Sequence, residues 1–368
     1  MASQTYSLTD RWLHWLALEP QIVRELSFDL ERQFSLPRRP SQRGDATAVA
    51  RDPAADAVYV CGLARSGTTL LLRLLDQVEG FRSLSYRDMP FPLAPKLWQR
   101  LSSLSPRKAV AEERIHGDGV LVDFDSPEGF EEVFWRTFTR YSTRDGRLSA
   151  AAPSDETLVA FADYRALVAN PKGAPGGGGP RRYLSKNNNN LMRLEPLCRE
   201  PASSIVLVFR HPAAAALSMH RTHASFCREQ AKDDYMRRYM AWLCHFEFGI
   251  DHRPFAFAAA AMDTRLQPGQ LDYWLDYWCA VHEHILKFEA PALHLLDYDA
   301  LCRTPATVLG SLFDALHVQG DRDALASQVA SPRQALEDGF DRALLDRAMA
   351  LHRTLCKRFE TMPLDVVA

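Results

Sequence analysis

The sequence of 368 residues has little of what marks secreted, metal-clustered or membrane-spanning proteins. Its seven cysteines stand singly, with no Cys-x-x-Cys pair, so neither a zinc site nor a disulfide framework is predicted. The first ten residues are polar and lack the basic start and apolar core of a signal peptide, and no apolar run reaches the length of a membrane span. We therefore expect a soluble, cytoplasmic protein with reduced thiols and no transmembrane segment.

The chain also lacks an excess of charge of either sign. It has 44 basic and 46 acidic residues, interspersed along the sequence, for a formal net charge of −2. Composition therefore gives no support to a nucleic-acid or anionic-membrane partner. The apolar fraction of 46% is ordinary for a globular protein, and the length allows one large α/β domain or two smaller ones.

A third absence is a missing lysine in a glycine-containing loop, Gly62-Leu63-Ala64-Arg65-Ser66-Gly67-Thr68-Thr69. An apolar run at 57–61 predicts a buried parallel strand before the loop, and a leucine-rich run predicts a helix after it. In that context backbone N–H groups converge on an anion. A Walker A loop has lysine after its second glycine, whereas here Thr68 follows Gly67. The cation of the loop is Arg65, which favours an anion held by arginine and backbone over the lysine and metal of a nucleoside triphosphatase.

The rest of the chain divides into an extension and a domain. Apolar residues at helical spacing over 12–30 predict one N-terminal helix capped by Thr9 or Asp10, and residues 37–56 predict a linker. We expect a helical extension with its linker at residues 1–50 and a single domain with helical C-terminal elaboration at residues 51–368.

The segments that follow the loop alternate between helix and strand. A glycine-rich run predicts a flexible loop at 170–182. Beyond it we predict a strand at Arg182–Ser185, a helix at Leu191–Cys198 and a strand at Ile205–Phe209. Strands that alternate with helices predict an α/β fold with a central parallel sheet flanked by helices.

A second polar motif follows the predicted strand Ile205–Phe209. Arg210 stands at the carboxyl end of this strand, Pro212 suits the first position of a helix, and Ser218 lies in that helix. The carboxyl ends of parallel strands share one rim, so Arg210 should project into the crevice that holds the loop. Two anion sites in one crevice suit a nucleotide with phosphates on both its 5′ chain and its ribose.

These motifs resemble those of the sulfotransferases that use 3′-phosphoadenosine 5′-phosphosulfate (PAPS). Residues 63–69 are similar to the family's 5′-phosphosulfate loop, in the arginine form of tyrosylprotein and bacterial sulfotransferases. Arg210 and Ser218 are similar to its 3′-phosphate motif, and residues 293–301 resemble its late strand and tyrosine-acidic-Xaa-leucine turn. The three segments occur in the family's order within residues 57–317.

The resemblance implies a P-loop-like sulfotransferase fold and transfer of a sulfuryl group to a hydroxyl of a small-molecule, lipid, sugar or peptide acceptor. It implies that the donor is bound by Arg65, Ser66, Gly67, Thr68, Thr69, Arg210 and Ser218. It also implies that Lys186, which matches a family lysine, stabilises the bridging oxygen of the leaving nucleotide together with Arg65. A solvated loop lysine is the alternative interpretation.

The base that deprotonates the acceptor has two main candidates. Asp88 occupies the family's carboxylate position, where glutamate is usual, but it can equally pair with Arg87 or cap a turn. Glu128 matches a Pro-Glu segment of bacterial members, but it also suits the start of a helix. His116 is a third candidate. The four asparagines at 187–190 either line the acceptor site or form a polar turn.

No metal is implied by the sequence. His282 and His284 are two residues apart on a predicted helix, so they point to different faces and do not form a usual ligand pair. The aromatic residues beside them, Tyr273, Trp274, Tyr277 and Trp278, have the spacing of a helix face that packs into the core.

Two other functions are compatible with parts of this pattern. A P-loop kinase or NTP hydrolase is disfavoured by Thr68, which stands where the phosphate-binding lysine belongs. A non-catalytic nucleotide-binding protein of the same fold is conceivable because aspartate replaces the usual glutamate at position 88.

Overall fold

The computed structural model of the chain describes residues 7–36, 56–102, 112–113, 121–122, 129–169, 181–257, 262–330 and 338–361. The strands are β1 (Ala57–Gly62), β2 (Phe81–Arg82), β3 (Glu112–Glu113), β4 (Leu121–Val122), β5 (Tyr141–Arg144), β6 (Arg147–Ala150), β7 (Arg182–Lys186), β8 (Ser203–Phe209) and β9 (Leu293–Asp297). The helices are α1 (Leu8–Leu18), α2 (Gln21–Ser35), α3 (Thr68–Asp76), α4 (Pro95–Ser102), α5 (Glu132–Phe138), α6 (Asp155–Ala169), α7 (Leu194–Cys198), α8 (Pro212–Gln230), α9 (Asp234–Trp242), α10 (Leu271–Ile285), α11 (Tyr298–Arg303), α12 (Pro305–Leu316), α13 (Arg322–Ala326) and α14 (Arg342–Thr361).

A five-stranded sheet in the order β2-β7-β1-β8-β9 forms the centre of the fold. All of its neighbouring strands run parallel, and Val60 of β1 is in register with Lys186 on one side and Val206 on the other. Every residue of β1 is buried, as expected for a strand whose two faces are both covered. The predicted α/β fold with a helix-flanked parallel sheet is confirmed. Two antiparallel hairpins, β3-β4 and β5-β6, lie outside this sheet.

The two faces of the sheet pack into separate hydrophobic layers. Tyr59 and Cys61 enter the larger layer, whereas Val58 and Val60 enter the smaller one with leucines of α3 and α12. This division follows from the alternation of side chains along a strand. Trp274 and Trp278 of α10 are fully buried in the larger layer, which confirms the predicted core role of that aromatic stripe.

The prediction of one N-terminal helix is wrong. The structure has two helices, α1 and α2, with Pro20 as the residue that precedes α2. Proline lacks a backbone N–H and its ring collides with the preceding turn, so a helix cannot continue through it without a kink. The cap of α1 is also different from the prediction, since the Ser7 hydroxyl accepts a hydrogen bond from Asp10 N at 3.1 Å.

Both N-terminal helices pack against the rest of the chain. Phe28 of α2 is buried in the larger layer beside Phe134, and Arg24 donates from Nε to Thr137 Oγ1 at 2.9 Å. The predicted domain boundary at residue 50 and the glycines at 176–179 lie outside the described residues. Within the described part of the chain, no helix has the length and apolarity required to cross a membrane.

Candidate functional site

Four strands that are adjacent in the sheet, β7, β1, β8 and β9, end on one rim. Polar segments follow these ends, namely Asn187–Asn190 after β7, the glycine loop after β1, Arg210 and His211 after β8, and Tyr298 and Asp299 after β9. In an open parallel sheet, ligands bind at this carboxyl edge. The rim is therefore the candidate active site, and we refer to it as the donor rim.

The glycine loop depends on the conformation of Gly67. This residue has φ +97°, in the left-handed region, and precedes the first turn of α3. A Cβ atom at Gly67 would lie 2.1 Å from Cδ2 of Tyr298, so no other residue fits without displacement of that ring. The loop leaves the first-turn N–H groups of α3 pointing toward the rim, and such groups with the helix dipole attract an anion.

The two predicted anion motifs lie side by side. Arg65 Nε donates to Ser218 Oγ at 3.2 Å, and Arg210 Nη1 donates to the carbonyl oxygen of Arg65 at 3.3 Å. Pro212 is the first residue of α8, as predicted, so Arg210 stands directly before this helix. The loop after β1 and the turn after β8 consequently form one continuous basic surface.

In the part of the chain that the structure describes, two polar atoms of this surface are buried without a hydrogen-bond partner. They are Ser66 Oγ in the loop and Nε of Arg210. Buried polar groups are nearly always paired, because an unpaired donor costs about 1–3 kcal/mol. Both atoms are hydrogen-bond donors, and a ligand with several anionic oxygens supplies the acceptors they require. The residues of the donor rim thus fit a polyanionic nucleotide.

The turn after β9, which is the tyrosine-acidic-Xaa-leucine segment, closes the same surface through contacts that were not predicted. The Tyr298 ring packs against Gly67 and lies 4.9 Å from the Arg210 guanidinium, a cation–π arrangement. Asp299 Oδ2 accepts a hydrogen bond from His211 N at 2.7 Å. Tyr298 and Asp299 therefore fix the conformation of the Arg210 turn. Their position directly after a strand of the sheet was the available signal.

Lys186 lies at the carboxyl end of β7, next to the strand that leads into the loop. Its side chain is mostly buried, with the residue 9% exposed, and within the described residues it forms no ion pair. Its backbone approaches Gly129 so closely that a Cβ at Gly129 would be 2.3 Å from the Lys186 carbonyl oxygen. Among the described residues, Lys186 is thus held in place by packing.

The four asparagines after β7 are buried and mostly serve the structure of the turn. Asn187 caps the 3₁₀ turn at Asn188–Met192, with its Oδ1 accepting from Asn189 N at 3.0 Å. Asn189 Nδ2 donates to Cys244 O at 3.1 Å. Asn188 is different, because its Oδ1 accepts a hydrogen bond from Thr68 Oγ1 of the loop at 3.3 Å. Asn188 therefore connects the turn to the donor rim.

A buried polar network behind this turn was not predicted from the sequence. The carboxylate of Glu131 accepts hydrogen bonds from Trp135 Nε1, Tyr183 Oη, Ser185 Oγ, Asn187 Nδ2 and Asn190 Nδ2 at 2.5–3.1 Å. Glu132 is paired with Arg193 at 2.5 Å, both side chains being 1% exposed. Burial raises the pKa of Glu132, and the Arg193 charge opposes that rise. Two adjacent glutamates in an otherwise apolar segment were the available signal.

The structure gives Asp88 a capping role. Asp88 is 0% exposed, and its Oδ2 accepts from Ser85 N at 2.8 Å while its Oδ1 accepts from Gln99 Nε2 at 2.8 Å. Ser85 and Asp88 form a reciprocal capping box around the turn at Tyr86–Asp88. This matches the capping interpretation of Asp88; a catalytic role for it stays a prediction. Glu128 and His116, the other candidate bases, lie outside the described residues.

The two histidines of α10 have separate surroundings. His282 is fully buried, stacks on Trp278 with 3.8 Å between ring centroids, and hydrogen bonds through Nδ1 with Trp278 O at 2.7 Å. His284 stacks instead on Phe257, also at 3.8 Å. They do not face a common ligand, in agreement with their spacing.

Comparison with known proteins gives one family. A model of the sulfotransferase family matches residues 57–253, more than half of the chain. Among solved structures, the chain is similar to sulfotransferase STF9 from Mycobacterium avium, with 15% identity, 99% of this chain and 88% of that chain covered, and a TM-score of 0.48. It is also similar to sulfotransferase STF1 from Mycobacterium tuberculosis H37Rv, with 12% identity, 93% and 83% covered, and a TM-score of 0.42. No curated protein matches the sequence.

Proposed function

The chain belongs to the sulfotransferase family, and we propose that it transfers the sulfuryl group of PAPS to a hydroxyl group of its acceptor. The observation that carries this proposal is the contact of the two anion motifs, with Arg65 bonded to Ser218 and Arg210 bonded to the Arg65 carbonyl. Two arginines in contact on one rim suit a ligand with two separate anionic groups, and PAPS has such groups at its 5′ end and at its 3′ position.

Within this proposal each end of the donor has its own residues. The backbone of residues 64–69, Ser66 Oγ and the N-terminus of α3 hold the 5′-phosphosulfate. Arg210 and Ser218 hold the 3′-phosphate, and Tyr298 keeps the Arg210 guanidinium oriented from its other side. The cations and helix terminus neutralise the donor, so the binding groups present need no metal ion.

The transfer itself requires neutralisation of the leaving group and removal of a proton. PAPS supplies the activated sulfuryl group. In this proposal Arg65 and Lys186 stabilise the charge that develops on the departing phosphate oxygen. Asp88 or Glu128 takes up the proton of the acceptor hydroxyl while the oxygen of that hydroxyl forms its bond to sulfur. Of these two, Asp88 would have to be released from its bond to Gln99.

Calorimetric titration of the purified chain with 3′,5′-ADP tests the donor site. We expect binding in the micromolar range or tighter, and weaker binding of 5′-AMP, which lacks the 3′-phosphate. Incubation with ³⁵S-labelled PAPS and a panel of phenols, sugars, sterols and tyrosyl peptides then tests transfer. Failure to bind 3′,5′-ADP together with failure to label any acceptor contradicts the proposal, and magnesium-dependent ATP hydrolysis would favour the NTP hydrolase.

The base is identified by comparing Asp88→Asn with Glu128→Gln. Loss of the base should lower kcat by about a hundredfold or more while the affinity for 3′,5′-ADP stays unchanged. Melting temperatures of both variants separate this effect from loss of the cap around Asp88. A protein in which neither variant lowers kcat uses another base.

A further inference from the structure

A cavity of about 600 Å³ lies beside the donor rim but is lined by other residues. Its walls come from α1, α5, β5, β6, α9 and the segment that follows α9. Cys244 forms part of the wall, and its carbonyl oxygen accepts the hydrogen bond from Asn189. One turn of backbone, residues 187–190, therefore separates this cavity from Thr68 of the loop. Volumes of 300–1,000 Å³ are typical of sites for small organic ligands.

The lining of the cavity carries an excess of positive charge. Arg136, Arg238 and Arg253 line it together with one carboxylate, Glu19, among the described residues. Arg136 is the arginine that contacts Glu19, at 3.4 Å. Arg238 and Arg253 form no ion pair within the described part of the chain. Two guanidinium groups are thus left to attract an anion.

A buried arginine behind the cavity, Arg24, adds to the positive charge of the lining. Arg24 shares the Leu18 carbonyl oxygen with Arg136 as a hydrogen-bond acceptor. Burial and the neighbouring charge of Arg136 lower the pKa of Arg24 to about 10. Glu19 and Glu25 oppose this lowering, so carboxylates balance only part of the positive charge on this side of the molecule.

The remaining lining is aromatic and suits a flat, apolar ligand body. Trp15, 44% exposed, Tyr141 and Phe246 contribute rings to the cavity. The Arg253 guanidinium lies 5.1 Å from the centroid of the Phe246 ring, so its planar fork is oriented before any ligand arrives. Arginines beside aromatic rings recognise an acid group that is attached to an apolar or aromatic skeleton.

We propose that this cavity binds an organic anion with an aromatic or apolar body, as a second site separate from the donor rim. Arg238 and Arg253 hold the acid group, and Trp15, Tyr141 and Phe246 contact the body. The site does not depend on the identity of the donor, because none of these five residues belongs to the donor rim.

Fluorescence titration of the full chain with 8-anilinonaphthalene-1-sulfonate, an aromatic sulfonate, tests the site. Saturating 3′,5′-ADP is present so that the donor rim is occupied. Arg238→Gln and Arg253→Gln should each weaken sulfonate binding about fivefold or more, whereas the neutral probe N-phenyl-1-naphthylamine should change by less than about twofold. Ala241→Trp, which fills the cavity from its wall, should abolish binding of both probes.

Arg199→Ala serves as the control, because Arg199 is an exposed arginine that is paired with Glu195 at 2.5 Å and does not line the cavity. It should leave sulfonate binding unchanged. The proposal is overturned if the Arg238→Gln/Arg253→Gln double variant binds the sulfonate as tightly as the parent, if Ala241→Trp retains binding, or if 3′,5′-ADP competes with the probe. Failure of 3′,5′-ADP to bind, by contrast, counts against the donor proposal and leaves the comparison of variants valid.

Discussion

Arg65 Nε donates a hydrogen bond to Ser218 Oγ at 3.2 Å although 153 residues separate the two in sequence. Arg65 belongs to the loop after β1, and Ser218 lies in α8, two turns beyond Arg210. The bond therefore joins the residues that we assign to the 5′ and 3′ ends of the donor. Each side chain orients the other, so a change at one end of the site should be felt at the other.

Arg210→Ala should weaken the binding of 3′,5′-ADP by about 2 kcal/mol, which is roughly a 30-fold increase in Kd. The reason is that the substitution removes a charge-assisted bond to the 3′-phosphate. Ser218→Ala should weaken the binding of 3′,5′-ADP by about 1 kcal/mol. Calorimetry with 3′,5′-ADP and 5′-AMP checks both values, since the losses should be much smaller for 5′-AMP. Thr222→Ala is the control on the same helix, because its hydroxyl donates to the Ser218 carbonyl oxygen within the helix. Equal losses for both nucleotides would contradict the assignment of Arg210.

Gly67→Ala should destabilise the protein more than Gly80→Ala. Both glycines have similar φ angles, +97° and +95°, so both substitutions cost about 1 kcal/mol of backbone strain. A Cβ atom added at Gly80 would have no described neighbour within 4 Å. A Cβ atom added at Gly67 would lie 2.1 Å from the Tyr298 ring. Urea denaturation should show the difference, and Tyr298→Ala should relieve part of it in the double variant. Equal losses of stability would show that the ring moves aside freely.

Glu131→Gln should lower the free energy of unfolding by about 3 kcal/mol, because an amide N–H₂ would then face buried donors that the carboxylate now accepts. Glu131→Ala should cost more, since five donors lose this acceptor and, among the described residues, only Asn187 Nδ2 keeps a carboxylate partner, Glu132 at 2.6 Å. Urea denaturation measures both. Glu195→Gln is the surface control, because Glu195 forms an exposed pair with Arg199, and we expect a change within about 0.5 kcal/mol. A Glu131→Gln variant as stable as this control would contradict the network.

Asp88→Ala should lower stability by about 1–3 kcal/mol, whatever its effect on turnover, because Ser85 N and Gln99 Nε2 lose their acceptor inside the protein. Thermal unfolding followed by circular dichroism provides the measurement. Asp321→Ala removes an exposed cap, that of α13, and should cost less. If the Asp88→Ala variant were as stable as the parent protein, the capping role of Asp88 would be contradicted.

The stability of the protein should fall as pH decreases from about 6.5 toward 3, in part through His282. Burial lowers the pKa of His282 to about 3, below its ordinary value of 6.5. The unfolded chain therefore takes up a proton below pH 6.5 that the folded chain excludes, at about 1.4 kcal/mol per pH unit. The free energy of unfolding is measured by urea denaturation at pH 7.5 and at pH 5.0. Between these two pH values the His282→Phe variant should lose about 2 kcal/mol less of this free energy than the parent protein. Equal pH dependence in the two proteins would contradict this contribution.

The elements that the sequence predicts correctly are those whose signal is local. The apolar runs of β1 and β8, the glycine loop and Pro212 at the start of α8 each combine a strand or helix with its own boundary residues. The exception is Pro20. This proline is a local signal for a break between two helices, but one long helix was predicted. Helical spacing alone does not show where a helix is interrupted.

The polar network behind the rim depends on partners that are distant in sequence. Glu131 meets Ser185 and Asn187 across more than fifty residues, and nothing near Glu131 shows that acceptors and donors balance there. Asp88 has its partners nearer in sequence, Ser85 and Gln99, but its complete burial was not predicted. Burial of charge is a property of the assembled fold, so a sequence can mark candidate residues without showing which of them are satisfied.

The contact of Tyr298 with Gly67 and Arg210 reaches beyond the segment that the family model matches, which ends at residue 253. A chain shortened to that segment would retain three strands of the rim but would lose the edge strand β9 and the aromatic ring that follows it. The C-terminal part of the protein therefore contributes residues to the rim rather than forming a detachable module. Exchange of this part between relatives should consequently alter donor affinity even where both phosphate motifs are identical.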